Sequence, residues 1–178
     1  MGWDYTHIPA PVDRAAECRA LVSDRFEVLK DALVGTTWYA AIRNKETGEV
    51  YALVVLVHIN RKDYCNFGVN WMSERDGPFY YDCPKSILSL LSPTDNKNAL
   101  RWREDCRRKR IQDRERKAML AELNNAPYGS RFTVTLEDGS TRTVVKRKPG
   151  YQFKTWWLLV ENDYKYIPKR RLTNAFPL

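Results

Sequence analysis

The sequence predicts an α+β chain: an antiparallel sheet with an N-terminal helix, a long basic helix, and a small C-terminal SH3-like β-module. Three observations carry this expectation. An apolar series at helical spacing follows Pro9 and Pro11. Three β-rich runs come next, separated by turn residues. A stretch dense in Lys and Arg then gives way to short strand patterns between Ser130 and Ile167.

The first helix is expected over Val12–Val34. Asp13 stands where an N-cap belongs, and Cys18, Leu21, Val22, Phe26, Leu29 and Leu33 recur at helical spacing until Gly35. Thr36 to Arg43 and Val50 to Ile59 then read as a hairpin across Asn44-Lys45-Glu46-Thr47-Gly48. The second of these runs is apolar at consecutive positions from Ala52 to Val57, as a strand covered on both faces requires. A third strand is expected at Cys65 to Met72, and a short helix at Ser86 to Leu91 behind Pro84. Thr94 or Asp95 is expected to cap a helix running to about Asn124. Beyond Asn124 to Gly129, strands are expected at Phe132–Leu136, Thr141–Val145, Phe153–Val160 and Tyr164–Ile167, the first two joined at Glu137-Asp138-Gly139-Ser140. The implied organisation is a body over 1–94, a helix over 95–125 and a β-module over 128–178.

Composition narrows the function classes. The chain has 178 residues, 43% apolar and 12% aromatic, enough for a real core. Its longest apolar run, Tyr51 to Val57, is too short to span a bilayer, and no signal-peptide pattern opens the chain, so a cytoplasmic protein with no membrane partner is expected. Cys18, Cys65, Cys83 and Cys106 lack paired metal-ligand spacing; free thiols and no metal or cofactor are expected. The net charge of +8 is segregated: residues 1–96 carry 10 Lys and Arg against 13 Asp and Glu, and residues 97–178 carry 20 against 9. A local positive potential of this kind attracts polyanions.

Two segments are candidates for polyanion binding. Lys97 to Lys117 holds ten basic residues against Glu104, Asp105, Asp113 and Glu115. Guanidinium forks at Arg101, Arg103, Arg107, Arg108, Arg110 and Arg114 match phosphate oxygens, while Glu104–Arg108, Asp105–Lys109 and Asp113–Lys117 have the spacing of ion pairs on an exposed helix. In the C-terminal part, Lys146, Arg147, Lys148, Lys154, Lys169, Arg170 and Arg171 interleave with Tyr151, Phe153, Trp156, Trp157, Tyr164 and Tyr166. Bases stack on rings while phosphates pair with cations, so this mixture suits single-stranded nucleic acid. Strand alternation sends Trp156 and Trp157 to opposite faces, which leaves at most one free to stack. No glycine-rich phosphate loop or catalytic signature is present, and the Asp4 and His7 pair has more use in structure than in acid–base chemistry, so no enzyme activity is expected.

Three stretches carry a family resemblance: Gly2-Trp3-Asp4-Tyr5-Thr6-His7; Thr37-Trp38-Tyr39-Ala40-Ala41 with Gly48-Glu49-Val50-Tyr51-Ala52; and Asn66-Phe67-Gly68 followed by Gly77-Pro78, Asp82-Cys83-Pro84 and Leu88. Together, over about residues 1–106, they resemble an uncharacterised family of short bacterial and phage proteins carried by mobile elements. The resemblance implies a mobile-element setting and supplies no catalytic residues. The expected function is a nucleic-acid-binding accessory protein that grips phosphate through the basic helix and the β-module. The competing expectation is an anti-defence inhibitor, of anti-CRISPR or anti-restriction type, that binds a host defence complex.

Overall fold

The computed structural model describes residues 3–9, 12–60, 64–151, 153–161, 163 and 165–178, with backbone alone for 7–9, 59–60 and 64–67. The fold is mixed α+β, with two five-stranded antiparallel sheets and one long helix. It divides into two compact units, residues 1–110 and 111–178, so the long helix contributes its first half to one and its second half to the other.

In the first unit the sheet runs β1-β5-β4-β3-β2, built from β1 (Asp4–Pro9), β2 (Phe26–Val34), β3 (Thr37–Asn44), β4 (Val50–Asn60) and β5 (Tyr64–Ser73). The hairpin read from Asn44–Gly48 joins β3 to β4, with Gly48 at φ 72°. The expected Val12–Val34 helix does not extend that far. Helix α1 covers only Arg14–Ala20, with the Asp13 carboxylate accepting from the Ala15 and Ala16 amides, and residues 26–34 form β2. The physical reason is pairing. Phe26–Val34 lies antiparallel to β3 across a two-residue turn whose Gly35 takes φ 61°, and a strand that completes a sheet gains more than local helical spacing offers. A bulge between Val28 and Lys30 leaves both Val28 and Leu29 half-buried, which mimics helical spacing in the sequence. Leu21, expected in the core, is 48% exposed.

The two-sided apolar character of β4 has a direct structural cause. Ala52 and Val54 face one core with Tyr39, Ala41, Met72, Cys83, Ile87, Trp102 and Cys106, under α2 (Lys85–Leu88) and the first half of α3 (Lys97–Asn125). Val55 and Val57 face a second core with Trp38, Ala40, Ile42, Val69 and Cys18 of α1. Asp31 secures that side, accepting from the Trp38 indole at 2.7 Å and Arg19 Nε at 3.0 Å. The N-terminal segment closes the sheet as β1, pairing with β5; the Trp3 ring stacks on Tyr5 and meets His58 edge-on. Gly68 makes room for it, since a Cβ there would stand 2.6 Å from Tyr5 Cε1. The His7 and Cys65 side chains lie outside the described residues.

Helix α3 is capped by Asn96, one or two residues later than expected: its Oδ1 accepts from the Ala99 amide at 3.0 Å. A buried ion pair holds it to the sheet. Arg103 donates to Glu74 from Nε at 2.6 Å and from Nη2 at 2.7 Å, and from Nη1 to Ser92 O at 2.7 Å.

In the second unit the sheet runs β10-β6-β7-β8-β9: β6 (Arg131–Leu136), β7 (Thr141–Arg147), β8 (Trp157–Val160), β9 (Tyr166–Ile167) and β10 (Leu172–Pro177). Residues 153–156, expected at the start of a strand, precede β8, and β10 is an element that the sequence pattern does not predict. The inner face of the sheet packs Phe132, Val134, Val144, Trp156, Leu158, Ile167 and Leu172 against Met119 and Leu123 of α3. Tyr164 lies outside the described residues. Among those described, no helix is long and apolar enough to cross a membrane.

This packing has measurable consequences. Arg103→Met leaves Glu74 buried without its cation and is expected to cost about 3–5 kcal/mol, with much of that recovered in the Arg103→Met/Glu74→Leu double variant; urea midpoints measure both. Burial pushes the Cys18 and Cys106 thiols up to about 12, from 9.0, and raises Cys83 as well. The folded state therefore keeps protons that the unfolded chain releases. This contribution is intact below pH 9 and declines as pH climbs towards 12. Native protein at pH 8 should leave these three thiols unlabelled by Ellman's reagent; rapid native labelling of any of them contradicts the buried placement.

Candidate nucleic-acid interface

Each unit presents its own cations. Residues 1–110 carry 17 Lys and Arg against 15 Asp and Glu, and residues 111–178 carry 13 against 7, so the excess per residue is greater in the second unit.

The outer face of the second sheet is set by alternation. Val144 and Lys146 of β7 and Leu158 of β8 point inward, so Val145, Arg147, Trp157 and Leu159 share the outer face. Arg147 lies directly across from Trp157, and Tyr166 of β9 across from Leu159. The Phe153 ring stacks on Trp157 and meets Tyr166 at an angle, with centroids 4.9 Å apart in both pairs. Tyr166 is 54% exposed, and Trp157 and Phe153 are half-buried. The Trp157 indole donates to Lys148 O at 3.1 Å, which fixes the ring plane beside an exposed lysine. Exposed Lys154 and Tyr151 occupy the loop that carries Phe153, and exposed Phe176 pairs with Thr133 on the same sheet. Arg131 also belongs to this face, held by Glu161 at 2.7 Å. A ring cluster of this kind offers π-surface to bases, while its neighbouring cations offer charge to phosphates.

Trp156 takes the opposite fate. It is buried, donates from its indole to Asn124 Oδ1 at 2.9 Å, and lies beneath the Lys169 ammonium at 3.7 Å from the ring centroid. Of the two tryptophans, only Trp157 reaches the outer face, as alternation requires.

The candidate cations separate into two groups. Arg103 and Lys146 are buried and engaged internally. Arg103 holds Glu74, and Lys146 Nζ donates to Asn124 O at 2.8 Å and to Ala126 O, capping the end of α3. Both therefore leave the exposed set. Burial lowers the Lys146 pKa, and burial followed by the charge of Lys146 lowers that of Lys169. Arg101, Arg107, Arg108, Arg114, Arg147, Lys148, Lys154, Arg170 and Arg171 are exposed, and Arg110 and Lys169 are half-buried. Acids on α3 and in the β6–β7 turn temper several of them: Arg107 pairs with Glu104 at 3.4 Å, Arg108 and Arg101 share Asp105 at 2.6 and 4.0 Å, and Arg171 meets Asp138 at 3.2 Å. Glu104 and Asp105 thus serve bases other than the i,i+4 partners that spacing suggested. Lys109 reaches Asp82 at 3.6 Å.

Comparison with family models, with curated proteins and with solved structures finds no match to this chain. The candidate interface therefore rests on its own geometry. The sequence pattern gives no sign of Phe176 as part of it, because β10, which sets Phe176 beside Thr133, is not predicted, and Arg131 stands outside the two basic segments that composition marks. Arg116 carries a structural role of the same kind as Lys146, donating to Leu172 O, Lys169 O and Arg170 O at 3.0, 3.2 and 2.9 Å. Among the described residues no three His, Cys, Asp or Glu side chains group closely enough to hold a metal ion.

This sorting predicts that Lys146→Met lowers stability by about 1–3 kcal/mol, because two carbonyls at the end of α3 are left without their donor. Polyanion affinity per folded molecule should stay unchanged, by thermal melting and a binding titration run side by side. A fall in affinity without a fall in stability would return Lys146 to the polyanion-binding set.

Proposed function

We propose that this chain is a nucleic-acid-binding accessory protein that takes single-stranded nucleic acid on the outer face of its second sheet. The observation that carries this reading is the Phe153, Trp157 and Tyr166 ring cluster with Arg147, Lys148 and Lys154 beside it. Core packing alone does not account for it, since that sheet already buries its other face against Met119 and Leu123. Stacking supplies affinity without sequence choice, and the cations fix the backbone. Exposed Arg114, on the part of α3 that belongs to the same unit, adds charge for phosphates.

We read the β-module as an SH3-like curled sheet. Its order supports this: four strands in a meander, then a single 3-10 turn at Lys169–Arg171 that returns β10 to the side of β6. A setting in a phage or other mobile element follows from the family resemblance of residues 1–106 and stands as part of the same proposal.

Anisotropy titrations with labelled single- and double-stranded DNA and RNA over a salt series test it. Tyr166→Ala and Trp157→Ala should each weaken single-strand binding by about 1–3 kcal/mol. Lys148→Ala with Lys154→Ala should flatten the log K against log salt slope by up to about one unit for each phosphate that is no longer neutralised, with little change in stability. Parent protein with no salt-sensitive binding to any of the four would refute the reading. The inhibitor reading, in which the same face meets an acidic patch on a host effector, would then be the one to pursue.

A further inference from the structure

The first unit holds a cluster of cations on which the sheet-face reading does not draw. Lys85 of α2 and Arg107 and Arg110 of α3 line an open notch of about 300 Å³, with Leu88 and Ser89 completing its wall. Arg107 and Arg110 are three residues apart, so their side chains leave the same side of the helix, and Lys85 approaches from a separate element. Arg110 is half-buried, and among the described residues no carboxylate forms an ion pair with Arg110 or Lys85. One acid, Glu104, reaches Arg107 at 3.4 Å; the neighbouring Asp82 reaches Lys109 at 3.6 Å. Three cations converging on one concavity repel one another, and that repulsion is relieved when an anion sits between them. The Ser89 hydroxyl donates to Ser86 O at a long 3.3 Å and can turn into the notch.

We propose that this notch is a phosphate-binding subsite that takes a dianionic phosphoryl group. Three cations less one partly engaged acid match a phosphate monoester better than the single charge of a backbone phosphodiester. The two guanidinium forks address its oxygens, and Lys85 acts as a point charge. A phosphoryl group fills only part of the notch, whose wall also includes Leu88. Such a group comes either from the end of a nucleic-acid strand or from free phosphate or a nucleotide. The proposal rests on the nucleic-acid reading only for the first of these sources.

The test uses the full chain with two probes: inorganic phosphate, and a short oligothymidylate with or without a 5′-phosphate. Phosphate at millimolar concentration should give saturable backbone amide shifts at Lys85–Ser89 and Arg107–Arg110 that chloride at equal ionic strength does not. The Lys85→Gln/Arg107→Gln variant alters two exposed residues and should fold as the parent does; there phosphate affinity should fall about tenfold or more, as it should in Arg110→Gln. A gain from the 5′-phosphate that vanishes in the double variant identifies a strand end as the source. Phosphate shifts without that gain identify free phosphate, and the subsite stands either way. No saturable phosphate response in the parent, or an equal response in the double variant, overturns the proposal. Binding of the hydroxyl-ended oligomer reports on the sheet face separately, so its loss with phosphate shifts retained sinks the nucleic-acid reading alone.

Discussion

The buried contact between Glu74 and Arg103 is the interaction on which the first unit depends. Taking both charges out of water costs several kcal/mol per ion, and only good geometry offsets it. Here the geometry is nearly complete. Two guanidinium nitrogens meet the two carboxylate oxygens, a third donates to Ser92 O, and Glu74 Oε1 also accepts from the Ala52 amide at 3.3 Å. Ser92 in turn exchanges hydrogen bonds with Val50, its Oγ accepting from that amide and its own amide donating to Val50 O. The pair therefore joins the start of β4, the 3-10 turn at Glu74–Asp76, the approach to α3 and α3 itself. One rotational setting of the helix satisfies it. That setting buries Trp102 and Cys106, and it turns Arg107 and Arg110, four and seven residues on, towards α2.

The same logic explains why a basic composition overstates a basic surface. Arg103, Arg116 and Lys146 all carry positive charge inward to carbonyl or carboxylate oxygens that would otherwise go unmet. Long side chains suit this role, since their stems pack while their heads reach a distant acceptor. Other cations have rings or further cations as neighbours: Arg147 and Lys148 beside Trp157, Lys154 near Phe153, and Lys85 with Arg110 in the notch. Charge alone does not distinguish the two groups; the partner of each side chain does.

Much of the architecture was legible in the chain because it rests on local chemistry. The Asp13 cap, the Asn44–Gly48 hairpin, the covered strand β4, the long helix and the Glu137–Ser140 turn each follow from residues within a few positions of one another. Alternation likewise foretold that one of Trp156 and Trp157 would be core and the other would face outward. What tertiary structure decided is non-local. Phe26–Val34 became a strand because β3 offered it a partner, and its bulge disguised that choice as helical spacing. Strand β10 exists because β6 has a free edge to pair with, although its own sequence, Leu172-Thr173-Asn174-Ala175-Phe176-Pro177, is a weak strand signal. Arg103 and Lys146 look like any other cation in sequence. Their burial depends on Glu74, twenty-nine positions away, and on Asn124, twenty-two away. Composition and spacing determined which elements form and that positive charge is plentiful; the pairing of distant residues decided which of those charges remain available to a ligand.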